Sequence, residues 1–574
     1  MKTNDLSFIQ LKKAAKSIDL EKTKAKLVLM GDNATQHLAT AIRGYSFLSD
    51  YPLNVVDTDY NQIDAQVLDI NSELYAEKPD FVLIYMCSEM LGIKFAESND
   101  KTNFADNTYQ KIANYWQTIR NNLKTNILQF NFVETNDRVF GNYALKTDES
   151  FLYQLKKLNF LMMQGAKDNN VFLIDLNDVN SKLGRDKFFD QKMFYVAKMP
   201  ISLDALPTVA EQVLDVVTAI KGKIKKCIIC DLDNTLWGGV IGDDGLSGIQ
   251  IGELGVGKAF EDLQRWLKQL KKRGIILGVC SKNDEVNAKL PFEKHPEMIL
   301  RLDDFSIFVA NWEDKASNIK NIQQTLNIGM DSMIFIDDNP FERNLVKSMI
   351  PEITVPDLPD DPALYLSCLK SLNLFETASY SENDKDRTKQ YQSEVKRINL
   401  QKSSESYDDY LKSLEMVATV KPFDEFQTPR IAQLTQRSNQ FNLRTVRCTE
   451  DDIKRLSKDD SYITRYFMLK DKFGDHGLIS VLTMKKKDVR TLFVENWLMS
   501  CRVLKRGMEE YIADTMIDIA EKEGFERIVG EYIQTPKNNM VKDLYLKLGF
   551  EDIGSNLFEA KVSGYKKHKT YIGE

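Results

Sequence analysis

The chain holds 574 residues, 43% of them hydrophobic and 28% charged, with a formal net charge of −7. That length exceeds one ordinary core and calls for about three domains of globular composition. The acidic balance, without a long basic run, argues against nucleic acid or an anionic membrane surface as partner, and no apolar run reaches the roughly 18 residues of a membrane span.

The opening residues, MKTNDLSFIQLKKAAKSIDL, lack the unbroken apolar core of a signal peptide. Seven scattered cysteines, an odd number, predict reduced thiols in a cytoplasm rather than a disulfide frame. Apolar runs at 25–32, 80–87, 125–132 and 170–177 read as buried parallel strands. Amphipathic helices such as YQLKKLNFLMMQGAKD lie between them, so 1–220 is expected to form an α/β domain. A second α/β unit, 221–375, opens at KCIICDLD and continues through the strands IILGVCS, FSIFVA and SMIFIDD. Its helices are GKAFEDLQRWLKQLKKRG and KASNIKNIQQTLNI. Residues 376–411 are densely charged, which predicts a solvated helical linker. From 412 to 574 the pattern is α+β: strand, turn and strand in HGLISVLTMKKKDVRTLFVENWLMS, then the helix RGMEEYIADTMIDIAEKEG, the strand RIVGEYI and a helix NNMVKDLYLKLG.

The run CIICDLD ends a buried strand on Asp231 and Asp233. In α/β folds the chemistry gathers at the carboxyl ends of the strands. Two carboxylates converging there suit magnesium, which takes oxygen ligands and binds substrate phosphate; the bland alternative is a solvated acidic turn. Three further strand and helix ends favour the metal. GVCSKND ends a strand on Ser281, whose hydroxyl can bond a phosphate oxygen. NWEDKAS places Lys315 at a helix start, where charge and backbone N–H groups hold an anion. FIDDNPFER ends another strand on Asp337 and Asp338, further oxygen ligands.

This ordered set resembles the haloacid dehalogenase (HAD) superfamily. The strings DLDNTLWGGVIGDDG, CSKND, NWEDKASNI and FIDDNPFER, with LTQRSNQFNLRT, DKFGDHGLIS and ENWLMSCRVLKRGMEE further on, are similar to its FkbH-like branch over at least residues 221–574. The resemblance implies that Asp231 takes a phosphoryl group and that Asp233 is the general acid/base, with its main-chain carbonyl on the metal. Ser281 and Lys315 would steady the phosphoryl oxygens, and Asn234, Thr235, Lys282 and Asn283 would line the substrate. Asp337 and Asp338 would complete a Mg²⁺ shell with Asp231 and Asp233. The partners implied are a small phosphorylated substrate, 1,3-bisphosphoglycerate, and an acyl carrier protein that receives a glyceryl thioester. The rival is a plain phosphatase acting on a small phosphoester, with a separate acetyltransferase activity. The fold expected is a doubly wound, Rossmann-like parallel sheet with a short flap and no large cap: WGGVIGDDGLSGIQIGELG leaves room only for a tight hairpin. Trp237 in that flap is expected either to pack or to touch the ligand.

Thioester chemistry draws attention to thiols. Cys280, beside Ser281, and Cys501 are candidate glyceryl carriers, or else small core residues. Cys227 and Cys230 alternate across a strand and do not suit a metal. The C-terminal unit resembles a GNAT-type acyltransferase whose pyrophosphate loop would be Arg502-Val-Leu-Lys505-Arg-Gly507, serving acyl-CoA or carrier-bound phosphopantetheine. Lys505 stands where a glycine is usual, which puts close backbone approach in question. Tyr545 is read either as a thiolate-protonating residue or as a core tyrosine, and His476 as a base or a turn residue. The N-terminal unit resembles an SGNH hydrolase with GDNATQ in place of Gly-Asp-Ser. It lacks the nucleophilic serine and a late Asp-x-x-His, so it is expected to be a degenerate relative used for docking or cover.

Overall fold

The computed structural model describes residues 6–380, 388, 390–393, 397, 400–401, 404, 406–500 and 503–573. The chain divides into two compact units, Met1–Lys221 and Gly222–Glu574. The first carries β1 (Ala25–Gly31), β2 (Leu53–Asp57), β3 (Phe81–Tyr85), β4 (Asn126–Phe130) and β5 (Val171–Ile174). They form one parallel sheet in the order β2-β1-β3-β4-β5. Four of these strands answer the four apolar runs. β2 escaped the sequence reading because it is an edge strand with alternating burial, not a continuous apolar run. Helices cover both faces of the sheet, each over its own apolar cluster.

The second unit holds two sheets. β6 (Cys227–Cys230), β7 (Ile276–Ser281), β8 (Ile307–Ala310) and β9 (Met333–Ile336) run parallel in the order β8-β7-β6-β9. β6, β7 and β9 are buried throughout, as strands covered on both faces must be. The helix after the flap, Gly257–Lys272, begins where the sequence placed it. No domain-sized cap interrupts 281–315, which holds the helix Glu285–Lys294 and β8. The flap itself differs from a hairpin. It is a short helical segment, Ile241–Gly248, closed by one antiparallel bridge between Gly238 and Gln250. Asp244 explains why: its carboxylate accepts from Val240 N at 2.7 Å and folds the chain back locally. At Gly239, with φ 91°, a Cβ would lie 2.6 Å from that same carboxylate.

The mixed sheet contains β10 (Met416–Lys421), β11 (Tyr462–Asp471), β12 (Gly474–Lys486), β13 (Thr491–Met499), β14 (Arg527–Glu531), β15 (Glu551–Gly554), β16 (Leu557–Lys561) and β17 (Ile572–Gly573). β12 and β13 are the expected strand pair, and the helix Met508–Lys522 follows as expected. The expected helix over NNMVKDLYLKLG breaks into a 3₁₀ turn and the short helix Leu544–Lys547. β13 runs parallel to β14 only over Thr491–Val494, so the two strands part beyond that point.

The charged stretch before this sheet is less solvated than its composition suggests. Thr388, Tyr391 and Arg397 are buried. Gln392 Nε2 donates to the carbonyl of Phe305 at 2.9 Å, and Arg397 forks onto Asp471 with two 2.6 Å contacts. A few inward residues are enough to dock a charged segment, and composition averages them away; much of the expected linker helix, 381–387 and 394–396 among it, lies outside the described residues.

Candidate active site

β6 is four residues long, and its successor Asp231 still donates its backbone N–H to Ile336 O, 3.0 Å away in β9. The two strands therefore release Asp231 and the Asp337–Asp338 pair side by side. Lys315 opens the helix Lys315–Leu326, whose N-cap Asp314 accepts from Ser317 N. Its Nζ lies 3.0 Å from Asp231 Oδ2 and 2.6 Å from Asp337 Oδ2. Oxygens of Asp231, Asp337 and Asp338 all come within 4.8 Å of one another.

This cluster has more negative charge than the protein neutralises. Burial pushes the Asp337 carboxyl up to about 7, and the charge on Asp231 adds to the shift. Asp338 is raised for the same two reasons. Burial alone would lower the Lys315 ammonium, but Asp231 and Asp337 outweigh it and hold the charge above its usual range. Asp231 Oδ1 is buried without a hydrogen-bond partner. An orphaned buried carboxylate oxygen, in an all-oxygen set with surplus charge, fits a hard divalent cation such as Mg²⁺.

Asp233 is turned elsewhere. Its Oδ1 accepts from Trp237 Nε1 at 3.0 Å and from Ile241 N at 2.9 Å, and its Oδ2 accepts from Asn283 Nδ2 at 2.9 Å. Burial raises its carboxyl, the direction a general acid needs. Since the flap and Asn283 hold the side chain, any contribution of Asp233 to a metal falls to its main-chain carbonyl. Trp237 is fully buried, its ring edge-on to Phe292 at 5.4 Å, which is the packing alternative.

Ser281 closes β7 and is buried at the same end of the sheet. The four residues expected to line the substrate all hold protein groups. Thr235 Oγ1 donates to Asp338 Oδ1 and accepts from Asp338 N, both at 3.0 Å. Asn234, in left-handed conformation at φ 55°, accepts from Gly239 N at 2.9 Å and so pins the flap. Lys282 pairs with Glu342 at 2.7 Å. Sequence reasoning missed Arg343, whose Nη1 donates to the carbonyls of Asp337 at 2.9 Å and Asp338 at 2.5 Å. The signal was present in FIDDNPFER: a proline at the first helical position sets a helix that returns the arginine under the acidic pair.

The thiol and acyltransferase candidates fare differently. Cys280 is fully buried among apolar side chains, its thiol donating to Lys315 O at 3.7 Å, and burial holds it protonated well above the usual range. That is core packing, as for Cys227 and Cys230. Cys501 and Arg502 lie outside the described residues. Lys505 has φ 60°, and its N–H already donates to Glu509 Oε1 at 2.9 Å, so a protein carboxylate occupies an amide that a ligand anion would use. Gly507 caps the following helix at φ 84°. Tyr545 is buried against Trp497, Phe550 and Phe558, a core tyrosine. His476 Nε2 is paired with Asp471 at 3.0 Å and buried, which lowers its tendency to charge despite that partner.

In the first unit, Asp32 ends β1 with Oδ1 accepting from Cys87 N at 2.9 Å and Asn33 Nδ2 at 3.1 Å. His37 stacks on Phe8 at 5.1 Å, and Asn131 donates to Asp175 at 2.7 Å. No serine–histidine pair forms there among the described residues.

Residues 26–218 match the family described as FkbH, N-terminal domain. The chain is 46% identical to the N-terminal part of the protein BF1531 from Bacteroides fragilis, a structure containing a phosphatase domain complexed with Mg. That alignment covers 65% of this chain and 100% of the other, with a TM-score of 0.62. A spermidine N-acetyltransferase from Vibrio cholerae, in complex with CoA and spermine, aligns at 13% identity over 26% of this chain and 97% of its own, TM-score 0.21. An acetyl-xylooligosaccharide esterase variant from Geobacillus Stearmophilus aligns at 12% identity over 33% and 93%, TM-score 0.26. No curated protein matches. With its FkbH N-terminal domain and a HAD-type phosphatase sheet whose strand ends gather Asp231, Lys315, Asp337 and Asp338, the chain belongs to the FkbH-like family.

Proposed function

We propose that the chain is a Mg²⁺-dependent enzyme that dephosphorylates a three-carbon acyl phosphate, 1,3-bisphosphoglycerate or a close analogue, and passes the glyceryl group to an acyl carrier thiol. The observation that carries the reading is the buried Asp231–Lys315–Asp337–Asp338 cluster, with one carboxylate oxygen of Asp231 unpartnered. Asp231 attacks the phosphorus of the phosphomonoester, and the leaving oxygen takes the proton held by Asp233. Water, deprotonated by the same Asp233, then releases phosphate from the aspartyl group. Lys315, 3.0 Å from Asp231, orients its carboxylate, and Ser281 offers a hydroxyl to a phosphoryl oxygen. Bound Mg²⁺ supplies the charge that neutralises the phosphoryl oxygens, held by Asp231 and the Asp337–Asp338 pair. The acyl phosphate leaves as inorganic phosphate when the carrier sulfur takes the acyl carbon, so each glyceryl transfer releases two phosphates. The six cysteines among the described residues stand outside any disulfide, which supports a cytoplasmic setting. Among the described residues no helix is long and apolar enough to cross a membrane.

The test is to incubate the enzyme with Mg²⁺, 1,3-bisphosphoglycerate and a holo-carrier, and to weigh the carrier by mass spectrometry. A glyceryl mass gain is expected. Phosphate release with no gain on the carrier favours the plain phosphatase, and the absence of both phosphate release and a mass gain refutes both readings.

A further inference from the structure

Three large apolar side chains stand in solvent where the chain leaves the carboxyl end of the phosphatase sheet. Val286 follows β7, Trp312 lies between β8 and Lys315, and Phe341 follows the Asp337–Asp338 pair after β9. They are 75%, 75% and 68% exposed, whereas Trp116, Trp237 and Trp497 are fully buried. The three exits converge. Lys282, between Ser281 and Val286, pairs at 2.7 Å with Glu342, the neighbour of Phe341. The backbone N–H of Ser317 and, more weakly, the Lys282 ammonium hold the Asp314 carboxyl, close in sequence to Trp312, below its usual range. The chemistry proposed for Asp231 leaves these apolar groups without a role. Asp284, Glu285 and Glu313 are exposed on the same exits, and Lys282 and Lys289 are each paired with a glutamate. A cover for this mouth therefore has to bring apolar groups and surplus positive charge.

One surface of the first unit has that chemistry. The helix Phe8–Ala15 buries Phe8, Leu11 and Ala14 and turns Ile9, Lys12 and Lys13 outward, Ile9 being 79% exposed. Lys16 and Leu20 just beyond it are exposed as well. From Phe8 to Ile18 the chain has three lysines and no carboxylate, in a protein of net charge −7. The base of this face is rigid, because the helix lies backbone to backbone on the helix Gln36–Leu48: a Cβ on Gly44 would meet Leu11 O at 2.0 Å.

We propose that the Phe8–Ala15 helix of a second copy of this chain docks on the Val286–Trp312–Phe341 surface and covers the mouth of the phosphoryl site. Ile9 and Leu20 would meet the exposed rings, and Lys12, Lys13 and Lys16 would meet the carboxylates and the aromatic faces. Two such contacts, each copy lending its helix to the other, close a two-fold dimer. The phosphatase sheet carries no domain-sized cap of its own between Ser281 and Lys315, so the second copy takes that place. The contact rests on exposure and charge, and is independent of the substrate proposed for Asp231.

The test is sedimentation velocity of the full-length protein from about 1 to about 100 μM, with phosphate release measured alongside. The mass is expected to pass from one chain, 66.0 kDa, to two as concentration rises, and added salt should favour the single chain. Trp312→Ser with Phe341→Ser should weaken the dimer by about tenfold or more, and so should Lys12→Glu with Lys13→Glu and Lys16→Glu. All five side chains are exposed, and circular dichroism checks that each variant keeps its fold. Glu285→Lys with Glu313→Lys should restore dimerisation to the lysine-reversed protein, which a general loss of stability would not allow. The proposal is overturned if the protein is a single chain throughout, or if self-association survives both sets of substitutions. A single chain whose binding to a holo-carrier is lost in Trp312→Ser with Phe341→Ser also overturns it, and assigns the surface to the carrier. Absence of phosphate release at every concentration counts against the reading of Asp231 alone, since the measured mass still decides the contact.

Discussion

Two parallel sheets in this chain each end their first strand on a buried aspartate, and among the described residues only one of them gathers further carboxylates around it. Asp32 follows β1 and finds a backbone N–H and an amide, with Lys94 at 3.8 Å. Its Oδ2, like Asp231 Oδ1, is buried without a hydrogen-bond partner, but this lone carboxylate has no second carboxylate oxygen gathered beside it among the described residues. Asp231 follows β6 and meets two further carboxylates, with one buried lysine for all of them. A carboxylate at a strand end is thus a position, and a metal site needs charge beyond what the protein itself neutralises.

The sharpest way to break the contrast is Asp231→Asn. Phosphate release should fall by at least about 10³-fold while circular dichroism stays unchanged, whereas Asp32→Asn should leave the rate within about twofold. Lys315→Met should also silence turnover. In the metal-free protein it should cost about 3–5 kcal/mol in denaturant unfolding, because it strips the buried Asp231 and Asp337 carboxylates of the ammonium that pairs with both. Saturating Mg²⁺, at about a hundred times its Kd, should stabilise the wild type by about 2.7 kcal/mol and Asp337→Asn with Asp338→Asn far less. If the doubly substituted protein gains as much from Mg²⁺ as the wild type, the metal assignment is wrong.

The surplus charge also sets a pH dependence. The folded Asp337 carboxyl lies above its unfolded value, so the native state binds more protons between about 4 and about 7. Metal-free stability should therefore fall as pH rises through that window, and Mg²⁺ should flatten the slope. Melting curves at pH 5 and pH 8, with and without Mg²⁺, read this directly. The smallest effect is expected from Thr235→Ala. It removes a hydrogen bond that orients Asp338, and should weaken Mg²⁺ activation by about tenfold while leaving saturated turnover nearer the wild type.

Much of this was legible along the chain. The strand runs at β1, β3, β4 and β5 and all four strands of the phosphatase sheet were continuous apolar segments, and the half-buried edge strands β5 and β8 kept that form. Where polar residues break the run the signal thinned, which is why β2, with Asn54 and Asp57, was missed and why the docked residues Tyr391 and Arg397 were hidden by their charged neighbours. The flap was legible as short but not as helical, because Asp244 closes it by one local hydrogen bond that glycine content does not reveal.

Sequence alone determined the identity and order of Asp231, Ser281, Lys315, Asp337 and Asp338, because strand and helix ends carry local signatures and the fold sends those ends to one edge. Only the tertiary structure decided what each neighbour does. Thr235 serves Asp338 from 103 residues away, Asn283 serves Asp233 from 50, and Arg343 holds the acidic loop from beneath. It also decided that Trp237 and Cys280 are core, and that Glu509 already holds the Lys505 amide. These outcomes depend on which donor meets which acceptor once distant segments pack, and no window of sequence contains both partners.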